Sequence, residues 1–199
     1  MGEFILTVIK VLLTILLLPF VVTATVHFES QLTTYPSIYH TFFNWGLFAF
    51  VISYLFIYPF YGVYDFGQKA MQGMLKFTSP MHRFMAYLLP FYFLFAIGAY
   101  NIVIKFLKVR SMDPYFVFFS GFVVAMHLVN TAQELQESEK SFFKPSYIFS
   151  MSFVYLGVIL LAVLLFDFTL NKFTILTFLE NVLDGAKDMY LDAIWFIRK

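Results

Sequence analysis

Five long runs of apolar side chains divide this 199-residue chain, and only short polar segments separate them. The runs cover residues 4–26, 42–63, 84–104, 115–131 and 147–168. A helix needs about 20 apolar residues to cross about 30 Å of hydrocarbon, and most of the runs reach that length. Because backbone polar groups in lipid must be satisfied within the protein, we expect an all-α integral membrane protein with about five transmembrane helices.

The composition supports this class. Hydrophobic residues make up 61% of the chain and charged residues 13%, whereas soluble domains have about 45–50% apolar and about 25% charged residues. A soluble domain of this size has too much surface to hide so many apolar side chains, so the lipid bilayer is the expected partner. The net charge of +1 argues against nucleic acid, and the absence of Cys excludes disulfides and thiolate chemistry.

Two of the runs differ from a regular span. The third contains Pro90, which should kink its helix and free a carbonyl group that neighbouring helices must satisfy. The fourth has only about 15 strongly apolar residues, which is short for a membrane crossing, and it contains His127. We therefore predict that the fourth run is a short span supported by partners, or a re-entrant segment.

The C-terminal residues 172–199 have the pattern of an amphipathic helix, separate from a transmembrane bundle of residues 1–171. The side opposite its apolar arc carries carboxylates at i,i+4 spacing, namely Glu180, Asp184, Asp188 and Asp192. Two interpretations are open: an interfacial helix lying on the bilayer, or a docking helix for another polypeptide. Surface-seeking helices usually carry Lys and Arg, so the acidic side favours a basic partner or the outer side of the membrane.

Polar side chains follow one face of the second run and one face of the fourth. The candidate polar seam consists of Tyr54, Tyr58, Tyr61, Asp65, His127, Asn130 and Glu134. The two spans run in the same direction in any alternating topology, so Asp65 and Glu134 are expected on the same side of the membrane. Such a seam could relay protons or bind a small polar ligand, or its groups could simply bond between helices at about 0.6 kcal/mol per pair.

The Lys and Arg distribution favours a cytoplasmic N-terminus. The loop 27–41 contains none, whereas the next loop contains Lys69, Lys76 and Arg83. The third loop opposes this orientation with Lys105, Lys108 and Arg110. With an inside N-terminus and five spans, the C-terminal helix would lie outside.

No catalytic, nucleotide-binding or metal-binding motif is recognisable, so we expect no cofactor and no metal site. The favoured function is a non-catalytic integral membrane subunit that anchors or positions other membrane-protein subunits in a larger complex. The alternative is a transporter or channel component that moves a lipid, proton or small solute through the polar seam. An intramembrane enzyme acting on lipid is a third class, resting on the same seam.

Overall fold

The computed structural model describes residues 2–34, 37–79, 81–107, 112–139, 145–170 and 174–197, and these residues form helices and short turns with no strand. The helices are α1 (Gly2–Thr34), α2 (Ser37–Phe56), α3 (Tyr61–Met74), α4 (His82–Leu88), α5 (Phe91–Leu107), α6 (Asp113–Glu139), α7 (Pro145–Leu170) and α8 (Ile175–Ile197), with a 3-10 turn at Lys76–Thr78. The all-α prediction is confirmed. The predicted boundary between residues 171 and 172 and the loop cations Lys108 and Arg110 lie outside the described residues.

Four of these helices are long and apolar enough to cross a membrane. The candidate spans are Ile5–Thr34, Ile38–Phe56, Asp113–Ser138 and Pro145–Leu170. A fifth apolar helix, Phe91–Phe106, is shorter. The first and fifth apolar runs of the sequence thus lie within α1 and α7.

The third and fourth runs differ in shape from the prediction, the third in degree and the fourth in length. Pro90 does more than kink the third run: the helix stops at Leu88, Leu89 is extended with φ −111° and ψ 94°, and α5 starts afresh at Phe91. The fourth run, predicted to be short, lies in the 27-residue α6. Its Gln and Glu residues are good helix formers, so the helix continues past its apolar part to Glu139.

The second run also divides between two helices. The amides of Ile57 and Tyr58 both donate to the Ser53 carbonyl, at 2.9 and 2.8 Å, and α2 ends there. Pro59 follows, and Phe60 is left-handed with φ 56°, which turns the chain into α3. The predicted span 42–63 is therefore corrected to a span that ends at Phe56, with the rest in a turn and the start of α3.

Helices α2 and α6 run parallel to each other. At their N-terminal ends the Tyr39 hydroxyl donates to Asp113 Oδ2 at 3.0 Å. At their C-terminal ends the Tyr54 hydroxyl donates to Gln133 Oε1 at 3.3 Å. The two backbones therefore stay side by side along the whole of α2.

A pair of glycines brings these two helices into close contact. A Cβ atom added at Gly46 would lie 2.0 Å from the Phe118 carbonyl oxygen. One added at Gly121 would lie 2.2 Å from the Phe43 carbonyl oxygen. Small residues of this kind allow helix backbones to approach closely in membranes, where dispersion contacts drive association.

Aromatic rings fill the centre of the bundle. Phe166 of α7 makes edge-to-face contacts with Phe43 of α2, Phe93 of α5 and Phe116 of α6, at centroid distances of 6.2, 5.7 and 6.0 Å. These geometries are among those that aromatic pairs prefer. The shorter helix α5 is thereby packed into the same core as the candidate spans.

Helix α8 lies antiparallel along α1. Three hydrogen bonds define the register, from Gln31 to the Thr174 carbonyl, from Thr23 to the Val182 carbonyl and from Tyr190 to the Leu16 carbonyl. Successive residues of α8 therefore lie beside residues progressively earlier in α1. The C-terminal end of α8 therefore lies beside the N-terminal part of α1, so this helix packs along the bundle and not beyond its end.

Candidate functional site

Glu134 of α6 joins three helices through two tyrosines. Tyr64 of α3 donates to Glu134 Oε2 at 3.1 Å, and Tyr87 of α4 donates to Oε1 at 2.9 Å. The Thr131 hydroxyl, about one turn earlier on α6, lies 2.9 Å from the Tyr64 hydroxyl. Hydrogen bonds to a carboxylate are stronger than bonds between neutral groups, so this cluster holds α3 and α4 against α6.

Tyr64 is held in its neutral form. Burial is the main cause that raises the pKa of its hydroxyl above 10.0, and the charge of Glu134 acts in the same direction. The hydrogen bond with Thr131 lowers the pKa of Tyr64 and only partly offsets these effects. Tyr64 therefore remains a hydrogen-bond donor at neutral pH.

The break at Pro90 frees two carbonyl groups, and side chains from two other helices bind them. The Ala86 carbonyl would normally accept from residue 90, but proline has no N–H group. Gln68 Nε2 of α3 donates to that carbonyl at 3.2 Å. His127 Nε2 of α6 lies 2.8 Å from the next carbonyl, that of Tyr87. This is how a proline is tolerated in a membrane-embedded helix.

The bond to Tyr87 determines the tautomer of His127. A carbonyl oxygen only accepts, so Nε2 carries the hydrogen and Nδ1 of the neutral ring is an acceptor. The ring is buried and lies 5.9 Å from the Tyr64 ring between centroids. His127 thus serves the backbone of α4 as a hydrogen-bond donor.

A small cavity of about 10 Å³ lies beside these groups, between α3, α5 and α6. Gln68 and His127 contribute its polar lining, and Tyr64, Phe91 and Tyr92 contribute aromatic rings. Gln68 Oε1 is buried and has no hydrogen-bond partner among the described residues. Gln68 therefore carries a buried acceptor that the described residues leave unsatisfied.

The structure brings His127 and Glu134 of the predicted seam into this cluster. Asn130, between them on α6, is fully buried and donates through Nδ2 to the Met126 carbonyl of its own helix at 2.8 Å. Thr131, on the same polar face, meets Tyr64. The fourth run thus supplies the α6 side of the site.

The seam residues from the second run lie apart, because the turn at Pro59 interrupts the helix that their spacing assumed. Tyr54 stays on α2 and donates to Gln133, whereas Tyr58 lies in the turn. Tyr61 and Asp65 lie on α3, where Asp65 accepts from Lys69 at 2.6 Å. The spacing therefore does not correspond to one continuous face.

Asp65 and Glu134 nevertheless lie at the same end of the bundle. Burial is the first cause that raises the pKa of Tyr61, followed by the negative charges of Glu134, Glu137 and Asp65. The hydrogen bond from Lys69 to Asp65 likewise raises the pKa of Lys69. Carboxylates from α3 and α6 therefore lie near enough to Tyr61 to act on its pKa, with Lys69 acting in the opposite direction.

Tyr64, Gln68 and Tyr87 were not among the residues predicted from the sequence. Two of them left a signal: Tyr64 and Gln68 stand at i,i+4 on the short segment before Pro90, so one helix face presents both. Tyr87 lies just before the proline and donates its hydroxyl to Glu134 while its carbonyl accepts from His127. Only the fold shows that these groups meet.

The predicted docking face of α8 lies at the depth of the apolar part of α1. By the α1–α8 register, Glu180, Asp184, Asp188 and Asp192 are level with residues 25, 21, 17 and 13, all within the apolar run 4–26. The four side chains are exposed, and within the described residues none of them forms a salt bridge. The buried stripe of α8 is formed by Phe178, Val182 and Ala186.

The fold and these sites define the class, a helical membrane protein with several apolar helices and a carboxylate-bearing helix beside them. No family model, curated protein or solved structure matches the chain. In the described part of the chain, no group of three or more His, Asp or Glu is placed to hold a metal ion.

Proposed function

We propose that this protein is a non-catalytic subunit of a membrane complex and that the outer face of α8 docks onto a partner membrane protein. The observation that carries the proposal is the position of four exposed carboxylates beside the apolar part of α1. We refer to Glu180, Asp184, Asp188 and Asp192 as the acidic face.

The cost of exposing the acidic face to lipid supports a partner. An Asp side chain at the centre of a membrane helix costs about 2.5–3.5 kcal/mol on the insertion scale. Several such groups together approach the whole stability of a domain, about 5–15 kcal/mol. A polar cover over this face removes most of that cost.

The negative charge of the acidic face indicates the chemistry of the partner. Lys187 is the single cation within α8, against four carboxylates. A partner helix that carries Lys or Arg at helical spacing would pair with the acidic face, and paired charges are the usual state of ionisable groups inside membranes. Exposed Leu183 and Leu191 beside the acidic face add apolar contact area.

The proposal includes an orientation of the chain in the membrane. The Lys and Arg count favours a cytoplasmic N-terminus, and α8 ends level with the start of α1. Both ends of the described chain then lie on the cytoplasmic side, and the partner's basic helix lies within the bilayer beside α8.

The test is purification of the full-length protein from its own membranes in mild detergent, with mass spectrometry of stoichiometric partners. The double variant Asp184→Lys, Asp188→Lys should lose the partner. The control variant Glu137→Lys reverses the charge of an exposed carboxylate outside the acidic face and should keep the partner.

Photo-crosslinking locates the interface. A photoreactive residue at Leu191 should crosslink to a partner helix that contains Lys or Arg, whereas one at Phe106, which is 77% exposed on α5, should crosslink to lipid. The proposal would be disproved if both positions crosslinked only to lipid and the charge-reversed variant still retained the partner.

The alternative function, a transporter or channel component, stays a prediction. The seam residues Tyr54, His127 and Glu134 each make a hydrogen bond to another helix, which is the structural use that such groups commonly have.

A further inference from the structure

We propose that α3 and the turn after it form an interfacial segment, which inserts apolar side chains into an anionic lipid leaflet at the Glu134 end of the bundle. The inserted side chains, which we call the insertion face, are Phe66, Met74, Phe77 and Met81, and all four are exposed. This surface is separate from the acidic face of α8 and does not depend on the partner proposed for it.

Helix α3 has three different sides. Its buried stripe, which packs on the bundle, consists of Tyr64, Gly67, Gln68 and Met71. At about 100° per residue, the exposed side chains of Phe66 and Met74 lie on one flank of this stripe. Asp65 and Lys69 lie on the other flank. One flank is therefore suited to lipid and the other to water, which is the pattern of a helix that lies at a membrane surface.

The turn after α3 presents Phe77 on an ordered backbone. The amides of Thr78 and Met81 donate to the carbonyls of Leu75 and Thr78, at 2.8 and 2.9 Å. The Thr78 hydroxyl also donates to the Leu75 carbonyl at 2.7 Å. Phe77 itself is 82% exposed. Backbone groups that approach lipid must be satisfied within the protein, and these bonds serve that purpose in the turn.

The contacts of α3 place the segment at the end of the candidate spans. The span of α2 ends at Phe56, and α3 begins shortly afterwards at Tyr61. Tyr64 of α3 donates to Glu134, which lies in the last part of the candidate span of α6. The insertion face therefore lies near the level at which acyl chains give way to headgroups. Interfacial helices bury their apolar side about 5–10 Å into this boundary.

The charges of the segment match anionic headgroups. Lys69 and Lys76 are exposed, and no Asp or Glu occurs in the sequence from residue 66 to residue 112. Because Lys69 is paired with Asp65, the contact with a lipid phosphate falls to Lys76, which is next to Phe77. In the orientation that the Lys and Arg distribution favours, this end of the bundle faces the cytoplasm, where the leaflet is anionic.

The test is depth-dependent fluorescence quenching of the full-length protein in nanodiscs of phosphatidylserine and phosphatidylcholine. Phe77→Trp supplies the probe, in a protein whose two native tryptophans are removed by Trp45→Phe and Trp195→Phe. Lipids brominated near the headgroup end of the acyl chain should quench this probe severalfold more strongly than lipids brominated near the bilayer centre. Met81→Trp is a second probe of the insertion face and should respond in the same way.

Glu137→Trp is the matched control. Glu137 is exposed at the same end of the bundle, on the side of the polar residues Tyr61 and Asp65, so this probe should be quenched only weakly. Equal quenching of the Phe77→Trp and Glu137→Trp probes would overturn the proposal, because it is the result expected of a turn that faces water.

The same probe tests the headgroup. At equal mole fractions, brominated phosphatidylserine should quench Phe77→Trp severalfold more strongly than brominated phosphatidylcholine, and adding Lys76→Gln should abolish the difference. Adding Lys105→Gln should preserve it, since Lys105 is an exposed cation in the last turn of α5. Equal quenching by the two lipids in the protein that retains Lys76 would overturn the proposed anionic leaflet.

Discussion

His127 is the residue at which the interpretations of the polar seam differ most. A buried His in a membrane span is a natural candidate for a proton relay. Here its Nε2 donates to the Tyr87 carbonyl, which Pro90 leaves without a helical partner. The residue type alone therefore does not distinguish a relay from a backbone donor.

We predict that His127→Leu lowers the free energy of unfolding by about 1–2 kcal/mol, because it leaves a buried carbonyl without a donor. His127→Gln, which restores an N–H donor of similar reach, should recover part of that loss. Reversible unfolding in mixed micelles measures both variants. Equal losses in the two variants would contradict a hydrogen-bonding role.

The raised pKa of Tyr64 predicts how the stability of the protein changes at alkaline pH. Its folded-state pKa is raised above the ordinary 10.0, mainly by burial. Above pH 10 the unfolded chain therefore releases this proton while the folded chain keeps it. The contribution of Tyr64 to the free energy of unfolding is thus fully present below pH 10 and is lost as the pH rises above it.

Tyr64→Phe should make the loss of stability above pH 10 less steep, as measured by thermal unfolding across the alkaline range. The control is Tyr115→Phe, since Tyr115 is 65% exposed and its variant should keep the wild-type slope. The comparison uses slopes because Tyr64→Phe also removes the hydrogen bond to Glu134. An unchanged slope would contradict the raised pKa.

At the scale of elements, α6 has a carboxylate cluster at each end. Asp113 accepts hydrogen bonds from Tyr39 at 3.0 Å and from Tyr100 at 2.5 Å, and Glu134 likewise accepts from two tyrosines. The two carboxylates are about 21 residues apart, or about 31 Å along a helix, close to the hydrocarbon thickness of about 30 Å. The stretch of α6 between the two clusters therefore has the length that a membrane crossing needs.

The glycine contact between α2 and α6 is the second feature at this scale. We predict that Gly46→Ala and Gly121→Ala each destabilise the protein by about 1–3 kcal/mol, because the added methyl group meets a backbone carbonyl and not a movable side chain. Unfolding in mixed micelles measures the effect.

Gly98→Ala is the matched control, since a Cβ atom there meets nothing within 4 Å. That variant should be as stable as the wild type or more stable by up to about 1 kcal/mol, because Ala has a higher helix propensity than Gly. Similar results for Gly46→Ala and Gly98→Ala would mean that α2 and α6 are not packed this closely.

At the scale of the whole molecule, the buried stripe of α8 packs on the bundle while its acidic face points away. The isolated chain and the complex should therefore respond to neutralisation in opposite ways. Asp184→Asn with Asp188→Asn removes two charges at apolar depth and should stabilise the isolated protein by about 2 kcal/mol or more. The same change removes partners for basic side chains and should weaken the complex.

Thermal unfolding of the partner-free protein in nanodiscs measures the first effect, and the fraction of partner retained on purification measures the second. The conservative shape of Asn keeps the packing of α8 unchanged. A double variant that leaves both quantities unchanged would mean that the acidic face is in water.

The candidate site was only partly predictable. His127 and Glu134 were identified because polar residues in an apolar helix are costly and stand out. Their partners Tyr64 and Gln68 were not, because they lie on a short polar helix whose position depends on the turn at Pro59. A spacing argument needs a continuous helix, and the prolines decide where the helices end.

The sequence by itself determined the membrane class, the all-α fold and the approximate positions of the long apolar helices. These follow from length and hydropathy within each segment, because lipid selects each segment separately. Tertiary structure alone decided that Gln68 and His127 meet the break at Pro90 and that α8 lies along α1. Those contacts join residues far apart in the chain, so they depend on helix directions and packing that no single segment specifies.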